Sequence, residues 1–220
     1  MSVVTGGENR VLLSDISWAT FQALATESNR GGTRFTYDQG RLEIMPPSTE
    51  HQWLKTLIGR MVEMMAFQLE IAIRSGGSTT LLNELAERGV EPDECYYVAN
   101  EARVRGRDDI DLAVDPPPDL AIEIDVTSSS INQLPIYASL GVPEVWLYHG
   151  GLLRAFVLGS DGNYQQQPQS AAFPFLSLDG FQQFLEQRNL KDENSLIREF
   201  VASLPKKGGN TSGAIAGEEQ

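Results

Sequence analysis

Cysteine, long apolar runs and positive charge are all scarce in this chain. A single cysteine, Cys95, among 220 residues excludes an internal disulfide framework and a zinc site built on several thiolates. No apolar stretch approaches the length of a membrane span, and no charged-then-apolar leader opens the chain. The expectation is therefore a soluble cytoplasmic protein with no membrane partner. Lys and Arg number 17 against 30 Asp and Glu, for a net charge of −13. Non-specific binding to nucleic acid rests on cationic contacts to phosphate, so this balance counts against a DNA-coating role. A nuclease with a local basic cleft is compatible with it. Aromatic residues make up only 8% of the chain, which counts against a carbohydrate platform and a glycosidase built on paired carboxylates.

What is present suits a globular fold, with 41% apolar and 21% charged residues. Residues 1–10 read as a loose arm. In "SDISWATFQALA", Ser14 or Asp15 is placed to cap a helix that buries Ile16, Phe21 and Leu24. "TRFTYDQGRLEIMPP" alternates like a hairpin turning at Asp38, Gln39 and Gly40. The next stretch opens on Ser48 or Thr49 as cap and carries Leu54, Leu57, Ile58, Met61, Met65 and Leu69 at helical spacing. "TTLLNEL", "ECYYVAN" and "DLAIEIDV" read as strands and "INQLPIYASLG" as a helix. "PEVWLYHG" and "LLRAFVLG" are further strands joined by a turn at "HGG". A last helix begins near "DGFQQFLEQRN" and runs to about Phe200. This order gives an α/β or α+β fold in one domain over residues 1–204. Residues 205–220, Gly-rich and polar, read as a disordered tail.

One strand stands apart. In "PPPDLAIEIDVTSSS", Leu120, Ile122, Ile124 and Val126 fall on one face, and Asp119, Ala121, Glu123 and Asp125 on the other. Three carboxylates on one face repel, and burying them costs more still. A divalent cation is the obvious compensation. Asp119 and Glu123 cannot share it, because four strand residues span about 13 Å and ligand distances are only about 2.1 Å. Asp119 is better read as a strand-entry residue.

The segments "YDQGRLEIMPPSTEHQ", "EPDECYYV", "PDLAIEIDVTSSS" and "IYASLGVPEVWLY" resemble the Uma-two family of restriction-endonuclease-like proteins, a branch of the PD-(D/E)XK nuclease superfamily. The resemblance runs from about Phe35 to Tyr164. It implies a restriction-endonuclease-like α/β core of αβββαβ order, a mixed sheet flanked by helices. It implies Mg²⁺ (or Mn²⁺) held by Asp93 and Glu123, with the Ile124 carbonyl available as a further ligand and Glu50 reaching in from the helix; Asp125 is a separate candidate, as a second-site ligand. The reaction implied is hydrolysis of phosphodiester bonds, with DNA as substrate and a homodimer as the working form. The chain departs from the pattern at the lysine. Its usual place is held by Asp125, and the alternative place on the next helix is held by Gln133, which can orient a water or phosphate oxygen but carries no charge. The rival expectation is a nuclease fold that has lost activity and serves as a structural or protein-binding module.

Each candidate also has a plainer reading. Glu50 suits the first turn of any helix through the macrodipole, and His51 suits a surface or capping position. Asp125 is either a ligand or a carboxylate satisfied by backbone donors. Lys55, one turn after His51, is a possible source of the missing charge. Arg103, Arg105 and Arg107 read as an exposed ion-paired loop, and Ser128–Ser130 as the cap of the following helix.

Overall fold

A computed structural model describes residues 3–6, 10–27, 33–126, 129 and 131–205. The chain begins with two strands, β1 (Val3–Gly6) and β2 (Arg10–Leu13), paired antiparallel. Of the segment read as a loose arm, residues 3–6 and Arg10 are thus part of a sheet. Helix α1 (Trp18–Glu27) follows, capped by the Ser17 hydroxyl, which accepts from the Thr20 amide at 3.2 Å. That is a little later than the sequence suggested. Strands β3 (Arg34–Asp38) and β4 (Arg41–Met45) form the expected hairpin. Its turn residues Gln39 and Gly40 both have positive φ (47° and 92°), the geometry of a tight two-residue hairpin turn.

Helix α2 (Thr49–Gln68) is capped by Ser48, whose side chain accepts from the His51 amide at 3.2 Å. Its buried stripe is Leu54, Leu57, Ile58, Met61 and Met65. After α2 come β5 (Arg74–Ser75), β6 (Leu81–Asn83), β7 (Arg88–Val90), β8 (Glu94–Tyr97) and the one-turn helix α3 (Glu101–Val104). Strand β9 (Leu120–Asp125), helix α4 (Leu134–Leu140) and strand β10 (Glu144–His149) form a parallel crossover, because β9 and β10 pair in parallel. Strands β11 (Leu152–Leu158) and β12 (Tyr164–Gln167) complete the sheet work. Where one long terminal helix was expected there are two, α5 (Leu178–Glu186) and α6 (Glu193–Ser203), the second capped afresh by Asp192. The proposed disordered tail lies outside the described residues from 206 onward.

Two six-stranded sheets result, not one. The first has the order β1-β2-β4-β3-β7-β6; the second has β12-β11-β10-β9-β8-β5. Within the second, α2, β5, β8, β9, α4 and β10 follow in the order αβββαβ. The alternation of β9 holds as read. Leu120, Ile122 and Ile124 enter a core with Trp146, the α2 stripe and Phe181 and Phe200 of the two final helices. Ala121 faces the opposite way, into a cluster with Ile136, Tyr137 and Val145 that also takes in Leu81 and Val90 of the first sheet. Glu123 and Asp125 line that same side, where the first sheet covers them.

Candidate active site

Strand β8 ends its pairing with β9 at Glu94, opposite Ile122. One residue earlier the chain bends, and the Asp93 side chain takes over the ladder. Its Oδ2 accepts from the Ile124 amide at 2.6 Å, so this carboxylate is pinned against the peptide that joins Glu123 to Ile124. Asp93 is 1% exposed. Its other oxygen, Oδ1, lies 2.6 Å from Arg34 Nη1 and 2.8 Å from His51 Nε2. Ser78 donates to the Asp93 carbonyl at 3.1 Å and also accepts from Lys55 Nζ at 3.0 Å.

Glu123 is buried and accepts a hydrogen bond from the Tyr137 hydroxyl on α4. Burial raises its carboxyl well above the ordinary value, and repulsion from the neighbouring Asp93 carboxylate adds to the rise; the Tyr137 hydrogen bond and the Arg34 charge offset part of it. The same burial raises the Tyr137 hydroxyl, reinforced by the Glu123 charge. Asp93 and Glu123 thus lie close enough to interact electrostatically, Glu123 lining the cavity under the first sheet and Asp93 lying between Arg34 and His51.

Asp125 sits beside them with its partners supplied by the protein. Oδ1 accepts from Arg10 Nη2 at 3.0 Å, Oδ2 from the Ser129 amide at 2.9 Å, and His149 Nδ1 lies 3.3 Å from Oδ2. Arg10 also donates to Glu43 Oε1 at 2.9 Å, and the Ser129 hydroxyl lies 2.8 Å from that oxygen. Ser129 therefore ties the acids to the first sheet instead of capping α4; Ser128 and Ser130 lie outside the described residues. Gln133 is at the start of α4, its side chain 3.4 Å from Thr36 Oγ1. Arg10, Arg34, Thr36, Glu43, Glu123, Asp125 and Gln133 line one small cavity of about 20 Å³, room for about one water or a bare ion.

Glu50 is not brought to this cavity. Its side chain is 58% exposed and faces Arg188 at 3.9 Å, in a groove shared with Trp53 and Glu193. The next residue, His51, points inward instead, because consecutive helical side chains diverge by about 100°. Asp119 is the strand-entry residue its position suggested: it accepts from the Val98 and Asn100 amides at 2.7 and 2.9 Å. Arg105 and Arg107 are paired with Glu101 and Asp115.

The residues that sequence reasoning missed are Arg10, Arg34, Glu43 and Tyr137. Arg34, Thr36 and Glu43 alternate with Phe35, Tyr37 and Leu42 along the β3–β4 hairpin, which reads as a solvent face. All three are buried, at 8%, 6% and 3% exposure. Only the packing of the first sheet over β9 explains that.

The fold is thus a mixed α/β arrangement of two sheets flanked by helices, with a buried pair of acids at the junction of β8 and β9. The family whose description is "Putative restriction endonuclease", Uma2, matches residues 18–189. The chain belongs to that family. Among solved structures it is similar to a "putative nuclease belonging to DUF820" from Anabaena variabilis, with a TM-score of 0.52 at 16% identity, covering 77% of this chain and 99% of that one. At that identity the likeness bears on fold alone. No curated protein matches the chain. Family and fold together point to a restriction-endonuclease-like nuclease.

Proposed function

We propose that the chain is a metal-dependent endodeoxyribonuclease whose ion is held by Asp93 and Glu123. The observation that supports this reading is that two buried carboxylates interact, Asp93 bonded to the Ile124 amide next to Glu123, and that burial and the Asp93 charge raise Glu123 well above its ordinary pKa. A cation relieves both causes. The donor chemistry fits Mg²⁺ or Mn²⁺, which take hard oxygens, settle for one or two carboxylates and keep several waters. Among the described residues no group of three or more His, Cys, Asp and Glu side chains is disposed around one ion, so the fit is to a two-carboxylate site completed by water. Asp125, engaged by Arg10 and Ser129, is left out of this ligand set, as is Glu50. When bound, the metal supplies an activated water and charge stabilisation at the scissile phosphate.

The chain's own groups have separate parts. The Ile124 amide and the Tyr137 hydroxyl hold the two carboxylates in place. Gln133, weakly engaged by Thr36, offers an amide to orient a water or a phosphate oxygen. DNA is the substrate on this reading, and a homodimer places one site on each strand. Relaxation of supercoiled plasmid tests it. Wild type with Mg²⁺ or Mn²⁺ nicks the plasmid, while Glu123→Gln and EDTA-treated wild type do not; equal nicking by Glu123→Gln defeats the proposal.

A second reading, an inactive nuclease fold serving as a protein-binding module, draws on the internal neutralisation of the acids by Arg10 and Arg34 and on the net charge of −13. Metal titration separates the two. Binding that is lost in Asp93→Asn and Glu123→Gln favours the enzyme, and no binding favours the module.

A further inference from the structure

Buried polar atoms without partners are rare in folded proteins, and each calls for an explanation. Among the described residues six buried side-chain nitrogen or oxygen atoms make no hydrogen bond, and four of them sit on three touching residues: Arg34 Nε, His51 Nδ1 and Nε2, and Asp93 Oδ1. Arg34 Nη1 at 2.6 Å and His51 Nε2 at 2.8 Å both press on that one oxygen, close in distance but poorly aligned. Asp93 Oδ2 is committed to the Ile124 amide. Oδ1 is therefore the oxygen Asp93 can give to a metal, and it is already crowded by positive or potentially positive groups.

We propose that Arg34 and the divalent cation compete for Asp93 Oδ1, and that the displaced guanidinium becomes the site's contact to phosphate. This rests on the two-carboxylate reading above. A guanidinium and a divalent ion against one oxygen repel strongly in a poorly solvated site. The other contacts of Arg34 are two long hydrogen bonds and the nearby charges of Glu91 and Glu123. Nη1 lies 3.3 Å from the Glu91 carbonyl, Nη2 lies 3.4 Å from Ser78 Oγ, and Nε has no partner. Arg34 lines the same cavity as Glu123 and Gln133, so a small movement keeps it within the site. Its planar fork of donors matches phosphate oxygens. The charge absent from Asp125 and Gln133 is on this account supplied by the first sheet, which makes that sheet part of the machinery.

The test is a Mn²⁺ titration by calorimetry on the full chain, run beside plasmid nicking, for wild type, Arg34→Met, Arg34→Lys and Glu123→Gln. Competition predicts that Arg34→Met binds Mn²⁺ tighter than wild type by about fivefold or more and yet nicks more slowly. A residue that merely supports the fold would weaken both. Arg34→Lys, with a shorter reach and no fork, shifts each in the same direction by less; it carries the test alone if Arg34→Met does not fold. Mn²⁺ binding that is lost in Glu123→Gln but no tighter in either Arg34 variant overturns the competition and leaves the two-carboxylate reading standing. Absence of Mn²⁺ binding in all four proteins overturns both.

Discussion

Glu123 carries the least comfortable charge at the site, and its discomfort has a measurable sign. Burial first, then Asp93, raise its carboxyl above the ordinary 4.5, while Arg34 and Tyr137 pull the other way and Asp125 adds a little to the rise. Folding therefore binds this proton more tightly than the unfolded chain does. The stability it contributes is complete below about pH 4.5 and is lost as pH rises through the folded value. Glu123→Gln keeps a carbonyl for Tyr137 and cannot ionise. In EDTA the variant is expected to melt higher than wild type at pH 8, with the gap closing toward pH 4.5. Melting curves that stay parallel across this range would show that Glu123 is not under this strain. The residue scale is also where the sequence was most legible for the acids. Glu123 stood out because its neighbours fixed the strand faces, whereas Asp93 was singled out by the family resemblance. The sequence was least legible for the cations, since Arg10 ends a segment read as a loose arm and Arg34 belongs to a hairpin whose alternation looks like ordinary surface.

At the scale of elements, the strong periodic signals held and the quiet ones did not. The Ser48 cap and the buried stripe of α2 follow from spacing alone. So does the β9 alternation. The α1 cap falls two or three residues after Ser14 or Asp15, at Ser17, whose hydroxyl does the same work, and α6 begins afresh at the Asp192 cap inside what reads as one continuous helix. Strand β6 falls within the expected strand "TTLLNEL", whereas β7 was not anticipated. Gly89 lies in β7 where an added Cβ would sit 2.6 Å from two ring atoms of Phe21 and 2.9 Å from Leu82 Cδ2. Phe21 is itself stacked on Tyr37 at 4.7 Å between centroids, so it has nowhere to retreat. Gly89→Ala is expected to destabilise the chain by about 1–3 kcal/mol, read from urea unfolding. A neutral or stabilising result would mean that α1 does not pack on the first sheet as described.

At the scale of the molecule, the first sheet is the feature no motif announced. It lies over the acid-bearing side of β9 and brings Arg10, Arg34 and Glu43 to the site. The family resemblance implied the αβββαβ core, but only three-dimensional packing turns the three antiparallel strand pairs of the first sheet into the cover of a cavity. No helix among the described residues is long and apolar enough to cross a membrane. The proposed homodimer belongs to this scale as well. If two sites act on one duplex, sedimentation of the nicking-competent protein gives twice the chain mass and linear plasmid appears alongside nicked circles. A monomer that yields only nicks would remove the dimer while leaving the site intact.

The most direct test of the central claim is a crystal of this protein soaked in Mn²⁺ and measured at the manganese edge. The account predicts one anomalous peak bonded to Asp93 Oδ1 and to a carboxylate oxygen of Glu123, at about 2.1 Å from each. A peak elsewhere, or none at full soaking concentration, contradicts it.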